Sequence, residues 1–207
     1  MKRCFLWTLT LLVSVVLVVP TQAQEEKFIK RKVAIGRFTN ETQYAKGLFY
    51  DKENDPMQKQ AMDILSSKLA ASGKFILLER DDLDVLMAEA GENMQKIGAD
   101  YIILGSITEF GRKTEGQQKV FSSTKTQTVE AGVSIRLVEA STGLIIYSDE
   151  AKGFAETTTK QSLGLGGAAG FDATLSDKAI SSALGQLVEN IIDKCVDKPW
   201  RSYVLSI

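Results

Sequence analysis

The chain has 207 residues, enough for one domain with a core of ordinary size or for a small pair. With 44% hydrophobic and 25% charged residues, 16 Gly and 3 Pro, it lies outside the collagenous, low-complexity and disordered classes. Histidine is absent, which removes the commonest general base and metal ligand, and with it Ser-His-Asp, Cys-His and most zinc chemistries. No enzyme, cofactor, metal or small-molecule substrate is expected.

Lys2 and Arg3 precede an apolar run from Phe5 to Val19, and Pro20-Thr21-Gln22-Ala23 closes it with small residues. This pattern predicts a signal peptide over residues 1–23 and a single mature domain over residues 24–207. The run is short of the roughly 20 residues that a spanning helix needs. Cys4 sits before the run and Cys195 is the only other cysteine, so the expectation is an exported, periplasmic protein without disulfides or a lipid anchor, with outer-membrane contact left open. Losing Lys2 and Arg3 takes the basic count from 25 to 23 against 26 acidic residues, which argues against a nucleic-acid partner.

Lys32 to Phe38 is a β-rich run followed by a long loop, Asn40 to Asn54. Asp55-Pro56 is an N-cap and N1 pair that opens a helix with Met57, Ala61, Ile64, Leu65 and Leu69 on one side and Gly73 as its stop. Phe75 to Leu78 reads as an internal strand. Asp81 is placed to cap a second helix with Leu83, Leu86, Met87 and Ala90 inward, and a short helical stretch is predicted from Glu92 to Ile97. Tyr101 to Leu104 reads as a buried strand. Glu109 to Thr128 is a polar hairpin arm, and it feeds a strand with Val129, Ala131, Val133, Ile135 and Leu137 on its buried face. Ser141-Thr142-Gly143 turns that strand into Leu144 to Tyr147. A second polar arm, Glu150 to Thr174, has no clear period. Ser176 is placed to cap a last helix whose stripe runs through Ile180, Ala183, Leu184, Leu187, Val188, Ile191, Ile192 and Cys195, ending before Pro199. The order β-α-β-α-β-β-β-α predicts an α/β fold, a mixed sheet with helices packed on it and two protruding hairpin arms.

Motifs that resemble chemistry have simpler readings. Gly164 to Gly170 approaches the dinucleotide fingerprint G-x-G-x-x-G/A, yet no buried strand precedes it and no helix opens on it, so it reads as a hairpin tip. The acidic groups Asp51, Glu53, Asp55 and Asp81, Asp82, Asp84 lack calcium-loop spacing and suit helix starts. Cys195 lies on the apolar stripe and reads as a core residue. Asn40-Glu41-Thr42 matches a glycosylation sequon at the level of chance. Trp200 to Ile207 alternates Tyr203, Leu205 and Ile207, as an edge strand or a docking tail would.

Four segments together resemble the CsgG/HfaB family of curli secretion channel subunits and holdfast-anchor proteins. They are Val33 to Thr42, Phe75 to Arg80, Gly98 to Ile107, and Val133 to Val138 with Ser141-Thr142-Gly143. The resemblance implies a periplasmic α/β domain that assembles into a homo-oligomeric ring with a secreted or envelope protein as partner. It implies hairpins that join neighbours' hairpins in an outer-membrane barrel, here the arms Glu109 to Thr128 and Glu150 to Thr174, and so a role in exporting or anchoring a surface fibre. Within those arms Val120, Phe121, Phe154, Leu163 and Leu165 are the large apolar residues available to a membrane or a partner. The resemblance also places a pore-constriction loop after the first strand, where Tyr50 and Asn54 keep the family's spacing and Asp55 stands at its phenylalanine position. The chain departs from the family in lacking the lipid-anchor cysteine and in carrying charged arms without an apolar band. That departure leaves a soluble periplasmic scaffold as the alternative.

Overall fold

A computed structural model of the chain describes residues 29–43, 55–91, 95–119, 122–162, 172 and 174–196. Strand β1 (Arg31–Asn40) leads through helix α1 (Pro56–Ser72) to β2 (Phe75–Leu78), and helix α2 (Leu83–Ala90) leads to β3 (Tyr101–Lys119). Then β4 (Ser122–Glu139), β5 (Ile145–Ser162) and helix α3 (Thr174–Ile191) follow, with a π-helical turn over Ile192–Val196. This is the predicted order of elements, and the fold is a mixed sheet with helices packed on it. The described strands form one sheet in the order β2-β1-β3-β4-β5, with β1 parallel to both neighbours and β3, β4 and β5 antiparallel.

The core lies on one face of this sheet. Val33, Ile35, Phe38, Ile103, Ile107 and the alternate β4 residues Val129 to Leu137 meet Ala61, Leu65 and Leu69 of α1 and the α3 stripe from Leu175 to Ile191. A register shift between Ile35 and Phe38 keeps the Phe38 ring on the core side. The ring lies over Gly105, where an added Cβ would come within 2.4 Å of it. Cys195 is buried in the same cluster, as the sequence predicted.

Helix α1 begins as its residue order dictates. Asp55 accepts from the amides of Met57 and Gln58 at 2.8 and 3.2 Å, Pro56 sits at the first helical position, and Gly73 closes the helix in the left-handed region at φ 63°. Asp55 is also buried and takes the Asn40 amide at 2.8 Å, while Asn40 Oδ1 accepts from the Thr42 amide and hydroxyl at 3.1 and 2.7 Å. The sequon side chain is therefore a joint between the end of β1 and the start of α1. Asp55→Ala removes the cap and leaves the buried Asn40 amide without this acceptor. The expected loss is about 2 kcal/mol, read as a lowered urea midpoint. A change below about 0.5 kcal/mol would refute the joint.

Four expectations need correction. β2 is an edge strand with one partner, β1, because no described segment adds beyond it. Helix α2 forms with its predicted period, but none of its residues is buried and Asp82, not Asp81, is its N-cap, without a side-chain cap bond. Residues 95–97, the described part of the stretch predicted as helical, are irregular. Ser176 lies inside α3 rather than capping it, since the helix opens at Thr174, whose amide and hydroxyl the Asp172 carboxylate accepts at 3.0 and 2.7 Å.

Candidate functional site

Beyond its core the sheet narrows to three strands. β3 and β4 stay paired from Tyr101↔Glu139 out to Lys119↔Ser122, and β4 and β5 from Val138↔Ile145 out to Ser122↔Ser162. The described part of the expected second arm, from Glu150 to Ser162, is thus a continuation of β5 along β4 rather than a hairpin of its own. A run of Glu156-Thr157-Thr158-Thr159, rich in β-branched residues, carried this signal in the sequence.

The base of the ribbon is fastened to α3. Gly153 has no side chain where the helix backbone crosses it: a Cβ there would lie 2.0 Å from the Ala179 carbonyl oxygen and 2.6 Å from the Ala183 nitrogen. Arg112 Nη2 donates to the Ser176 hydroxyl at 2.7 Å, and the Asp172 amide donates to Gln127 Oε1 at 2.9 Å. Ser176 and Gln127 are buried by these contacts. Spacing within the sequence does not pair Arg112 with Ser176, since Arg112 lies on β3 and Ser176 on α3, and only the seating of α3 on the sheet sets them side by side.

Further out, the ribbon is polar on both faces. One face carries the rungs Lys113-Thr128-Glu156 and Glu115-Thr126-Thr158, and the other carries Thr114-Gln127-Thr157 and Gly116-Lys125-Thr159. Lys113 and Glu115 pair at 2.5 Å along one strand. Nearer the body, Lys152 bonds Glu109 and lies 3.7 Å from Glu130, in a half-exposed cluster that solvent screens. Two edges of the ribbon are open among the described residues. β1 pairs β3 only as far as Ile107, which leaves the outer edge of β3 unpaired from Thr108 on, and the outer edge of β5 has no strand partner over its whole length.

Of the residues singled out from the sequence, Phe154 is placed. It stands opposite Glu130 on the sheet face away from α3 and is 60% exposed. Tyr50, Asn54, Val120, Phe121, Leu163 and Leu165 lie outside the described residues, as do the predicted signal peptide and the Trp200 to Ile207 tail.

At the opposite end, the Tyr147 hydroxyl donates to Asp149 Oδ2 at 2.8 Å, and Asn190 of α3 donates to the same oxygen at 2.8 Å. Burial, then the bond and charge of Asp149, push the Tyr147 phenol from 10.0 up to about 12. The folded state therefore holds the phenolic proton more tightly than the unfolded chain does. The stability this contributes is present in full below pH 10 and is lost as pH rises through about 12. Wild-type protein should lose stability over that window more steeply than Tyr147→Phe, as followed by far-UV circular dichroism against pH. Parallel profiles would show that the phenol is not coupled to folding.

Comparison with known proteins identifies the family. The sequence pattern of "Curli production assembly/transport component CsgG" matches residues 18–206. NMB1126/NMB1164 of Neisseria meningitidis serogroup B, a proposed lipoprotein, is 31% identical over 181 residues, covering 84% of this chain and 80% of its own. The PelC dodecamer from Paraburkholderia phytofirmans is similar over 77% of this chain and 85% of that one, at 15% identity and a TM-score of 0.38. Lipoprotein GNA1162 from Neisseria meningitidis is similar over 81% of this chain and 99% of its own, at 14% identity and a TM-score of 0.34. The expectation of an unlipidated protein is corrected by the 31% identical relative, which is described as a lipoprotein. That expectation rested on the place of Cys4 in a stretch outside the described residues. From residue 18 to residue 206 the chain belongs to the CsgG family of curli production assembly/transport components.

Proposed function

We propose that the chain is a non-enzymatic envelope subunit that self-associates through the edges of its projecting ribbon, as an assembly or transport component for a secreted surface fibre on the periplasmic side of the outer membrane. Family membership supports the assembly role, and the lipoprotein description of the 31% identical relative supports attachment to the envelope through a lipid. The observation that carries the reading is the pair of open edges. Each of β3 and β5 is antiparallel to β4, so the two edges run in the same direction. Copies related by rotation can therefore pair β5 of one with β3 of the next. Such an interface is head-to-tail and closes into a ring when the rotation closes.

A pore-free scaffold is the form of this reading that the ribbon's chemistry favours. A lipid-facing strand needs alternate apolar residues, and a Lys or Arg at the midplane costs about 2 to 4 kcal/mol. The described rungs beyond Arg112 carry charge or hydroxyls on both faces. Light scattering on the purified protein should show one discrete oligomer, intact mass of the same material should show a lipid adduct, and a planar bilayer should show no stable conductance steps. A monomer at about 100 μM, well above a micromolar Kd, overturns self-association. Reproducible steps that vanish when Glu109 to Thr128 is deleted replace the scaffold with a channel.

A further inference from the structure

We infer that the sheet face opposite α1 and α3 is the seat for helix α2 of a second copy of this chain, an inference that rests on the self-association proposed above but uses a different surface. The register sets Leu78, Ala34, Ile102 and Val138 in one row across β2, β1, β3 and β4, and Ile145 of β5 continues it across a bulge. Their strand neighbours Leu77, Val33, Ile103 and Leu137 all enter the core, so the row points away from α1 and α3. Within the row Ala34 is buried among its neighbours, Leu78, Ile102 and Val138 are half-buried and Ile145 is 57% exposed, and beside it Ile76 is 47% exposed. A contiguous apolar strip on a sheet face marks a surface built to be covered.

Among the described residues the same chain leaves an apolar helix only partly covered, with Leu83 and Met87 half-buried and Leu86 40% exposed. Leu83, Leu86, Met87 and Ala90 recur at i, i+3, i+4 and i+7, the pattern of a helix that buries one face. Yet no residue of α2 is buried. The stripe and the strip match in charge as well as in character. Asp84 and Glu89 flank the stripe and α2 carries no basic residue, while exposed Arg136 stands opposite Leu104 one step along the sheet from the apolar row.

The root of α2 directs it to a neighbour. Glu79 Oε1 accepts the amides of both Arg80 and Asp81 at 2.7 Å, and Arg80 Nη2 donates to the Ile97 carbonyl at 2.6 Å, which pins the link between β2 and α2. Asp81 and Asp82 line a cleft with Met62 and Asp63 of α1, so the helix starts on the α1 side of the sheet while the apolar row lies on the other. Because seat and occupant are different patches, the contact is head-to-tail or a reciprocal exchange between two copies.

Disulfide trapping tests this in full-length protein with Cys4 and Cys195 replaced by alanine. One tagged chain carries Leu86→Cys and a differently tagged chain carries Val138→Cys, and the mixture is oxidised. The expected product is a disulfide joining the two tags. Separately, Val138→Asp should raise the concentration for half-association about tenfold by light scattering. A disulfide found only within a chain that carries both cysteines, or no disulfide while light scattering still shows the oligomer, overturns this inference and leaves the ribbon-edge reading standing. A monomer under all conditions overturns both.

Discussion

Gly153→Val should cost more stability than any other single change to the sheet. An added Cβ at this position falls 2.0 Å from the Ala179 carbonyl oxygen and 2.6 Å from the Ala183 nitrogen. Both contacts are helix backbone, which cannot rotate aside as a side chain end would. The helix must lift from β5, and every lift opens the layer in which Ala179, Ile180, Ala183 and Leu184 are buried. Overpacked cores lose about 1 to 3 kcal/mol and occasionally more, and the backbone clash puts this site at or above the upper end. A domain of ordinary stability, about 5 to 15 kcal/mol, is left marginal or unfolded. Gly116→Val is the control, since nothing lies within 4 Å of a Cβ there and the residue sits in an exposed strand. Urea denaturation followed by circular dichroism should show a drop of about 3 kcal/mol or more for Gly153→Val and little change for Gly116→Val. Equal midpoints for the two would mean that α3 does not ride on Gly153.

That glycine also shows where reading the sequence stops. Periodicity gave α1, the β4 alternation and the α3 stripe, because each is a local repeat of apolar residues with caps at its ends: Asp55 and Gly73 for α1, Gly143 at φ 73° for the turn into β5. The same reasoning took α2 for a packed helix, since its stripe is as regular as that of α1. Period reports what a helix can bury and not whether anything packs on it. The length of β5 went unread because its outer half is a run of three threonines between Glu156 and Lys160, followed by Gln161 and Ser162, which carries no hydrophobic period. The ribbon base was unreadable in principle. Arg112 and Ser176 stand 64 residues apart, and Gln127 and Asp172 45 apart, so their meeting follows from how α3 and Asp172 seat on the sheet and not from any neighbouring residue. Four segments resembling the CsgG/HfaB family supplied what local rules could not, the family itself, while Tyr50 and Asn54, expected at a pore constriction, lie outside the described residues.

Leu187→Ala and Ile191→Ala should each lower stability by about 2 to 5 kcal/mol, while Lys125→Ala should leave it within about 0.5 kcal/mol. Both hydrophobic residues are fully buried in the cluster that joins α3 to the sheet and to α1, one turn apart on the same stripe. Truncation removes the transfer free energy of three aliphatic carbons and leaves a cavity among the packed layers, so collapse is only partial. Ile191 has a second role, since the π-helical turn that follows it carries Cys195 and Val196 onto the same core. Loss at Ile191 should therefore loosen the end of the chain as well, seen as faster labelling of the buried Cys195 thiol than in Leu187→Ala at matched stability. Lys125 lies half-buried on the ribbon between Gly116 and Thr159, away from the α1 and α3 core cluster. Urea midpoints for the three variants decide the division of the molecule into a body that carries stability and a ribbon that does not. If Lys125→Ala falls as far as the two helix variants, the ribbon is a part of the folding core and the division fails.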